Sequence, residues 1–127
     1  MAFNRVDHIG IVVADFEKAC AFVRDVLELK EVRKAEENVR AAFFRIGDLD
    51  LQIVEDKTRL GSSKVGRLEH VCLFVDSIEE ATAALTAGGM TMLFDKPETV
   101  KRRKGRTTHT TESGPLGIRL QISDANA

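Results

Sequence analysis

The segment Asp7-His8-Ile9-Gly10-Ile11-Val12-Val13 occurs twice, and this duplication restricts the fold more than any other feature of the chain. Its second copy, Glu69-His70-Val71-Cys72-Leu73-Phe74-Val75, begins sixty-two residues later. Each copy is an acid, a histidine and a run rich in β-branched or aromatic residues, which reads as a buried strand. The next segments match as well. Asp15-Phe16-Glu17-Lys18-Ala19 corresponds to Ser77-Ile78-Glu79-Glu80-Ala81, and Leu49-Asp50-Leu51-Gln52-Ile53 to Ile118-Arg119-Leu120-Gln121-Ile122. Three matches in the same order mark a tandem repeat of one supersecondary unit. The repeat sets His8, Gln52, His70 and Gln121, all able to ligate a metal or to hydrogen-bond, at equivalent places.

Local patterns fill in the unit. Arg5–Val13 reads as a first strand, with Val6, His8, Gly10 and Val12 on one face and Ile9, Ile11 and Val13 on the other. The second set is the more apolar, so it is expected to pack under a helix and leave His8 on the more open face. Asp15 is a suitable N-cap for a helix with Phe16, Ala19, Cys20, Val23 and Val26 or Leu27 at helical spacing. Leu29–Ala35, Val39–Ile46 and Leu49–Val54 read as three strands, with Glu36-Glu37-Asn38 and Gly47-Asp48 as turns. Residues 56–67 break every periodicity and read as a linker between the halves. The pattern then restarts with a strand over Leu68–Val75. A Ser77-x-x-Glu80 capping box opens a second helix with Ile78, Ala81 and Leu85 inward, and Gly88-Gly89 stop it. Strands are expected at Met90–Phe94, within Thr99–Thr111, and at Gly117–Ile122. Each half is strand, helix, strand, strand, strand.

With 127 residues the chain is expected to be a single domain, with one module over about 4–56 and another over about 68–123. A formal charge of −1 argues for neither nucleic acid nor a membrane surface as partner, and no apolar run approaches a membrane span. Two cysteines, Cys20 and Cys72, make no disulfide framework, and a cytoplasmic location is the simple expectation. Lys101-Arg102-Arg103-Lys104-Gly105-Arg106 is the one strong charge cluster, and such a run is usually a solvated loop.

Two tandem βαβββ units, with a histidine in the first strand of each and an amide in the fourth, resemble the vicinal oxygen chelate superfamily. That superfamily includes glyoxalase I, methylmalonyl-CoA epimerase, extradiol dioxygenases and drug-sequestering resistance proteins. Asp-His-Ile-Gly-Ile-Val-Val, the later Glu-His-Val-Cys-Leu-Phe-Val-Asp-Ser-Ile-Glu-Glu-Ala and the strand-four Gln look most like the methylmalonyl-CoA epimerases and their glyoxalase-like neighbours. The resemblance implies an α+β fold in which both modules form a curved, eight-stranded mixed sheet with a central cleft. It also implies a homodimer.

By the same resemblance His8, Gln52, His70 and Gln121 hold one divalent metal ion (Co, Ni, Zn, Mn or Mg). The family normally has Glu where this chain has Gln121, and the epimerases carry a Glu base at a place that falls on Ala41. Without those carboxylates a bound ion keeps its full charge. The plain alternative is that the histidines are hydrogen-bonded core residues and the glutamines ladder partners. For proton transfer the candidates are Asp50, which with Arg119 lies two residues from a Gln on the same strand face, and His109 on the penultimate strand. Asp50 and Arg119, as repeat equivalents, are expected to approach each other. Arg119 would otherwise orient a substrate carboxylate, and Arg103 and Lys104 would hold the phosphates of coenzyme A. The implied function is a metal-dependent isomerase, epimerase or lyase acting on a carbonyl or CoA thioester through an enolate. The competing reading is a non-catalytic, small-molecule-sequestering member of the superfamily. Nucleic-acid binding through the basic loop stands last.

Overall fold

The computed structural model describes residues 3–36, 39–100 and 104–125. The elements run β1 (Phe3–Val13), α1 (Phe16–Asp25), β2 (Lys30–Glu36), β3 (Arg40–Ile46), β4 (Leu49–Glu55), α2 (Lys57–Leu60), β5 (Gly66–Val75), α3 (Ile78–Ala87), β6 (Glu98–Thr99), β7 (Arg106–His109) and β8 (Arg119–Ser123). The strands form one open mixed sheet in the order β2-β3-β4-β1-β5-β8-β7-β6. The chain divides into two compact units, residues 8–69 and residues 3–7 with 70–125.

In the 8–69 unit the first and fourth strands pair in parallel, placing His8 opposite Asp50 and Gly10 opposite Gln52. β3 joins β4 through the Gly47-Asp48 turn, with Arg45 opposite Asp50 and Phe43 opposite Gln52. Asp15 caps α1, its carboxylate accepting from the Lys18 N–H at 3.0 Å. Such a cap contributes about 1 kcal/mol. Phe16, Cys20 and Val23 of α1 pack on Ala42, Phe44 and Ile53, with Ile11 and Val13 beside them. That is the face expected to meet the helix.

The opposite face differs from expectation, because His8 is only 7% exposed. A second cluster of Val12, Ala41, Phe43 and Val54 covers that side, with Leu60 packed against it. Val26 and Leu27, expected on the inner face of α1, are exposed instead, since the helix stops at Asp25. The linker expected over 56–67 contains structure too. Asp56 accepts from the Thr58 and Arg59 N–H groups and opens the single turn of α2. Arg59 then lies 3.3 Å from Asp56 and 3.8 Å from the buried Glu69.

In the 70–125 unit β5 pairs in parallel with β8, with His70 opposite Arg119 and Cys72 opposite Gln121. This register repeats that of β1 and β4, so the alignment of Asp50 with Arg119 in the duplicated sequence is also an alignment in space within each unit. Ser77 caps α3 through the Glu80 N–H, and Ile78 and Ala81 are buried against Val75 and Ile122. The strand expected at Met90–Phe94 is reduced to a single bridge between Met92 and Thr110. Pro97 lacks an N–H for a continuing ladder, and the short β6 forms only beyond it, pairing with β7.

Arg106 on β7 donates to both carboxylate oxygens of Glu79, at 2.7 and 3.1 Å, and holds that carboxyl below its ordinary value of 4.5. A lowered folded-state value gives stability that is present above pH 4.5 and is lost as the pH falls through the lowered value. Glu79→Gln is therefore expected to flatten the acid limb of the urea midpoint plotted against pH. The effect is small, because the pair is solvent-exposed.

Candidate active site

Two groups of polar side chains meet on the strands, one in each unit. In the 8–69 unit His8, Asp50 and Gln52 share a face by register. The His8 ring stands edge-on to Phe43 at 5.9 Å, and the Arg33 guanidinium lies 3.9 Å from the centre of the Phe43 ring. Asp50 finds its arginine in its own hairpin: Arg45 Nε donates to Asp50 Oδ1 at 2.6 Å. That ion pair follows from the two-residue turn, which sets Arg45 opposite Asp50.

In the 70–125 unit His70, Arg119, Gln121 and His109 come together. β7 sets His109 opposite Gln121, and β5 sets His70 opposite Arg119. The Arg119 side chain, 7% exposed, reaches both imidazoles: NH1 lies 3.0 Å from His109 Nδ1 and NH2 3.5 Å from His70 Nδ1. Phe94 stands edge-on to His109 at 5.9 Å. The Gln121 Nε2 amide donates to Thr107 Oγ1 at 2.9 Å, and that hydroxyl donates to the Ile122 carbonyl. The chain thereby orients the carboxamide.

The four residues implied as metal ligands are neutral donors. In the 70–125 unit the arrangement does not fit a divalent cation. A guanidinium only donates, so the histidine nitrogen facing it is the acceptor and carries no proton. For a neutral ring the proton then sits on Nε2, and a protonated nitrogen does not ligate. Turning His70 Nε2 into a ligand would set an Nδ1–H against the guanidinium, and any ion there would share the place with a fixed positive charge. Ala41 and Ala42, where the epimerases' acid would fall, are buried in apolar clusters.

Arg103 lies outside the described residues, and Lys104 is exposed. Gly105, with φ of 137°, has its open side filled by the chain itself, against the Ala125 backbone and the Asp124 carboxylate. A cavity of about 630 Å³ between α1 and the sheet is lined by Ile11, Val13, Phe22, Leu51, Ile53 and Val65 among others, and none of the candidate site residues faces it.

Sequence reasoning passed over three partners. Arg45 was legible, since a two-residue turn at 47–48 fixes it opposite Asp50. Thr107 required the β7–β8 register. Asp7, whose carboxylate lies within 4.8 Å of the Cys72 thiol, was hidden by strand parity, which assigns it to the other face from its neighbour.

The profile described as Glyoxalase/Bleomycin resistance protein/Dioxygenase superfamily matches residues 7–108. Mitochondrial methylmalonyl-CoA epimerase of Mus musculus is 31% identical over 106 residues, which cover 73% of this chain and 58% of that protein. The uncharacterized protein YqjC of Bacillus subtilis (strain 168) is 33% identical over 92 residues, covering 65% of this chain and 66% of that one. The chain spans little more than half the length of the curated mammalian epimerases it matches. Among solved structures, a variant of Streptomyces coelicolor methylmalonyl-CoA epimerase in complex with 2-nitronate-propionyl-CoA superimposes with a TM-score of 0.82 at 20% identity, covering 99% of this chain and 100% of that one.

Proposed function

The chain belongs to the glyoxalase/bleomycin resistance protein/dioxygenase superfamily, and on that premise we propose that it is an epimerase-type isomerase moving a proton at the carbon beside the carbonyl of an acyl-CoA thioester. Its similarity to methylmalonyl-CoA epimerases supports a catalytic reading over a sequestering one. The structural observation that carries it lies in the 8–69 unit, where Asp50, ion-paired to Arg45, shares a strand face with His8 and Gln52.

Removing an α-proton requires an acceptor for it and a group that stabilises the oxygen of the resulting enolate. Of the two candidate acceptors, His109 has its unprotonated nitrogen turned to Arg119. Asp50 receives one hydrogen bond from Arg45 on Oδ1, and a carboxylate has about four acceptor sites. Asp50 is therefore the better proton acceptor. It takes the α-proton as the C–H electron pair moves to the thioester oxygen. Its return from Asp50 restores the original configuration, and a proton delivered by water to the opposite face of the planar enolate gives inversion, Asp50 then losing its proton to solvent. Exposed Lys104 is suited to the coenzyme phosphates as a point charge. No step runs through a metal ion, since the donor set of residues 70–125 does not suit one.

The test is incubation of the full chain with methylmalonyl-CoA in deuterium oxide. Mass spectrometry is expected to find one deuterium at the α-carbon and, with an enantiopure substrate, loss of optical purity. Substrate recovered without deuterium, from this and related acyl-CoA thioesters, would remove the proposal.

A further inference from the structure

We propose that the cavity between α1 and the sheet binds a single-chain amphiphile with an anionic head, a medium-chain fatty carboxylate. Its alkyl chain lies among aliphatic side chains, and its carboxylate is held by Lys18 and Lys64. This site is separate from the one proposed for proton transfer. β4 turns Asp50 and Gln52 to one face and Leu51 and Ile53 to the other, and the second pair lines the cavity.

The cavity is built by the 8–69 unit alone. α1 covers the sheet through Phe16, Cys20 and Val23, and the only partly buried Ile11, Val13 and Leu51 beside them form its floor. One wall is the segment Lys64-Val65-Gly66, which is fixed at several points. The Ala14 N–H donates to the Val65 carbonyl at 2.9 Å. Ser63 Oγ donates to the Gly66 carbonyl at 2.7 Å and accepts from the Gly66 N–H at 3.2 Å. On the helix side the Leu27 N–H donates to the Phe22 carbonyl, which holds Leu27 where α1 ends. The walls are thus preformed, and a volume of about 630 Å³ falls within the range of small-molecule sites, roughly 300–1,000 Å³.

The lining selects the occupant. Its apolar part is Ile, Val, Leu and Ala, with Phe22 as the one aromatic ring. A chain without Trp or Tyr offers little to stack a flat ligand, whereas aliphatic walls suit an alkyl chain. Phe22 and Leu27 are half exposed and Val65 more so, leaving apolar surface in water that such a chain would cover. Three charged residues join the lining: Lys18, Lys64 and Asp15. Asp15 Oδ1 already accepts from the Lys18 N–H as the helix cap. Neither lysine amine is ion-paired among the described residues. Two flexible cationic stems against one engaged carboxylate favour an anionic head over a cationic one.

The experiment is isothermal titration calorimetry of the full chain with decanoate below its critical micelle concentration, beside decanol and decyltrimethylammonium. One decanoate per chain is expected, with the cationic amphiphile weaker by about tenfold or more. The double variant Lys18→Met, Lys64→Met is expected to weaken decanoate by about tenfold or more and to leave decanol within about twofold. Ala19→Phe, which adds a ring to the α1 wall, should weaken both ligands alike with the urea midpoint near wild type. Phe22→Ser, at a half-exposed position that the core does not depend on, gives a second apolar readout in the same direction. Absence of saturable decanoate binding, several decanoates per chain, or an affinity that the lysine variant leaves unchanged would each overturn the inference. Sedimentation velocity supplies the remaining outcome. A dimer that Phe22→Ser converts to monomer, with no uptake of decanoate by the wild type, would assign the cavity to a second copy of this chain instead.

Discussion

Asp50→Asn is expected to slow solvent deuterium exchange at the α-carbon by about two to four orders of magnitude, the range for a positioned general base. The carboxamide keeps the shape of the side chain and can still accept from Arg45 Nε, so the hairpin register of Arg45 opposite Asp50 should survive. A loss confined to turnover, with KM and urea midpoint near wild type, identifies Asp50 as the group receiving the proton. Arg45→Met provides the contrast. It leaves the carboxylate in place but removes its 2.6 Å partner, and because Arg45 is about half exposed it should alter rate and pH dependence far less. Equal exchange in wild type and Asp50→Asn would transfer the role elsewhere, with His109 next in line.

The second large effect concerns Gly105. Its φ of 137° lies in a region that side chains rarely adopt. A methyl group there would overlap the Ala125 Cα and lie 2.7 Å from the Ala125 nitrogen and 2.8 Å from Asp124 Oδ1. Those atoms are not free to yield. Asp124 Oδ1 accepts from the Arg106 N–H at 2.6 Å, and the Asp124 N–H returns a bond to the Arg106 carbonyl. Gly105→Ala is therefore expected to cost about 3 kcal/mol or more, combining backbone strain and overpacking. Equilibrium urea unfolding checks it. Gly114→Ala is the control: its methyl would meet only the flexible end of Met90, which can move aside, so its loss should be clearly smaller.

The parts of this architecture that were legible in the sequence are those fixed by local chemistry or by the repeat. Asp15 and Ser77 cap the helices as read, because a side-chain oxygen before an apolar periodicity has one good use. The equivalence of Asp50 and Arg119 holds in both parallel ladders. What escaped depended on partners distant in sequence. The burial of His8 follows from Phe43, Ala41 and Val54 closing its face, which the apolar ranking of a single strand does not reveal. The joining of His109 to Arg119 needs the β7–β8 register across residues 110–118, a loop whose Gly114-Pro115 turn does not by itself fix that register. The strand expected at Met90–Phe94 keeps only the bonds around the Met92–Thr110 bridge, a length that propensity alone does not set. Within the site, residue types and faces could be read, but the orientation of the imidazoles could not, and the cation-binding expectation turns on that orientation.

The two thiols have a practical consequence. Cys20 lies in the 8–69 unit and Cys72 in the other, at 2% and 0% exposure, and burial pushes the Cys20 thiol up. Neither can meet a bulky alkylating reagent until the fold around it loosens. The chain therefore carries a separate stopwatch in each half. Matching labelling times would mean that both halves breathe together, and a faster one would name the half that lets go first.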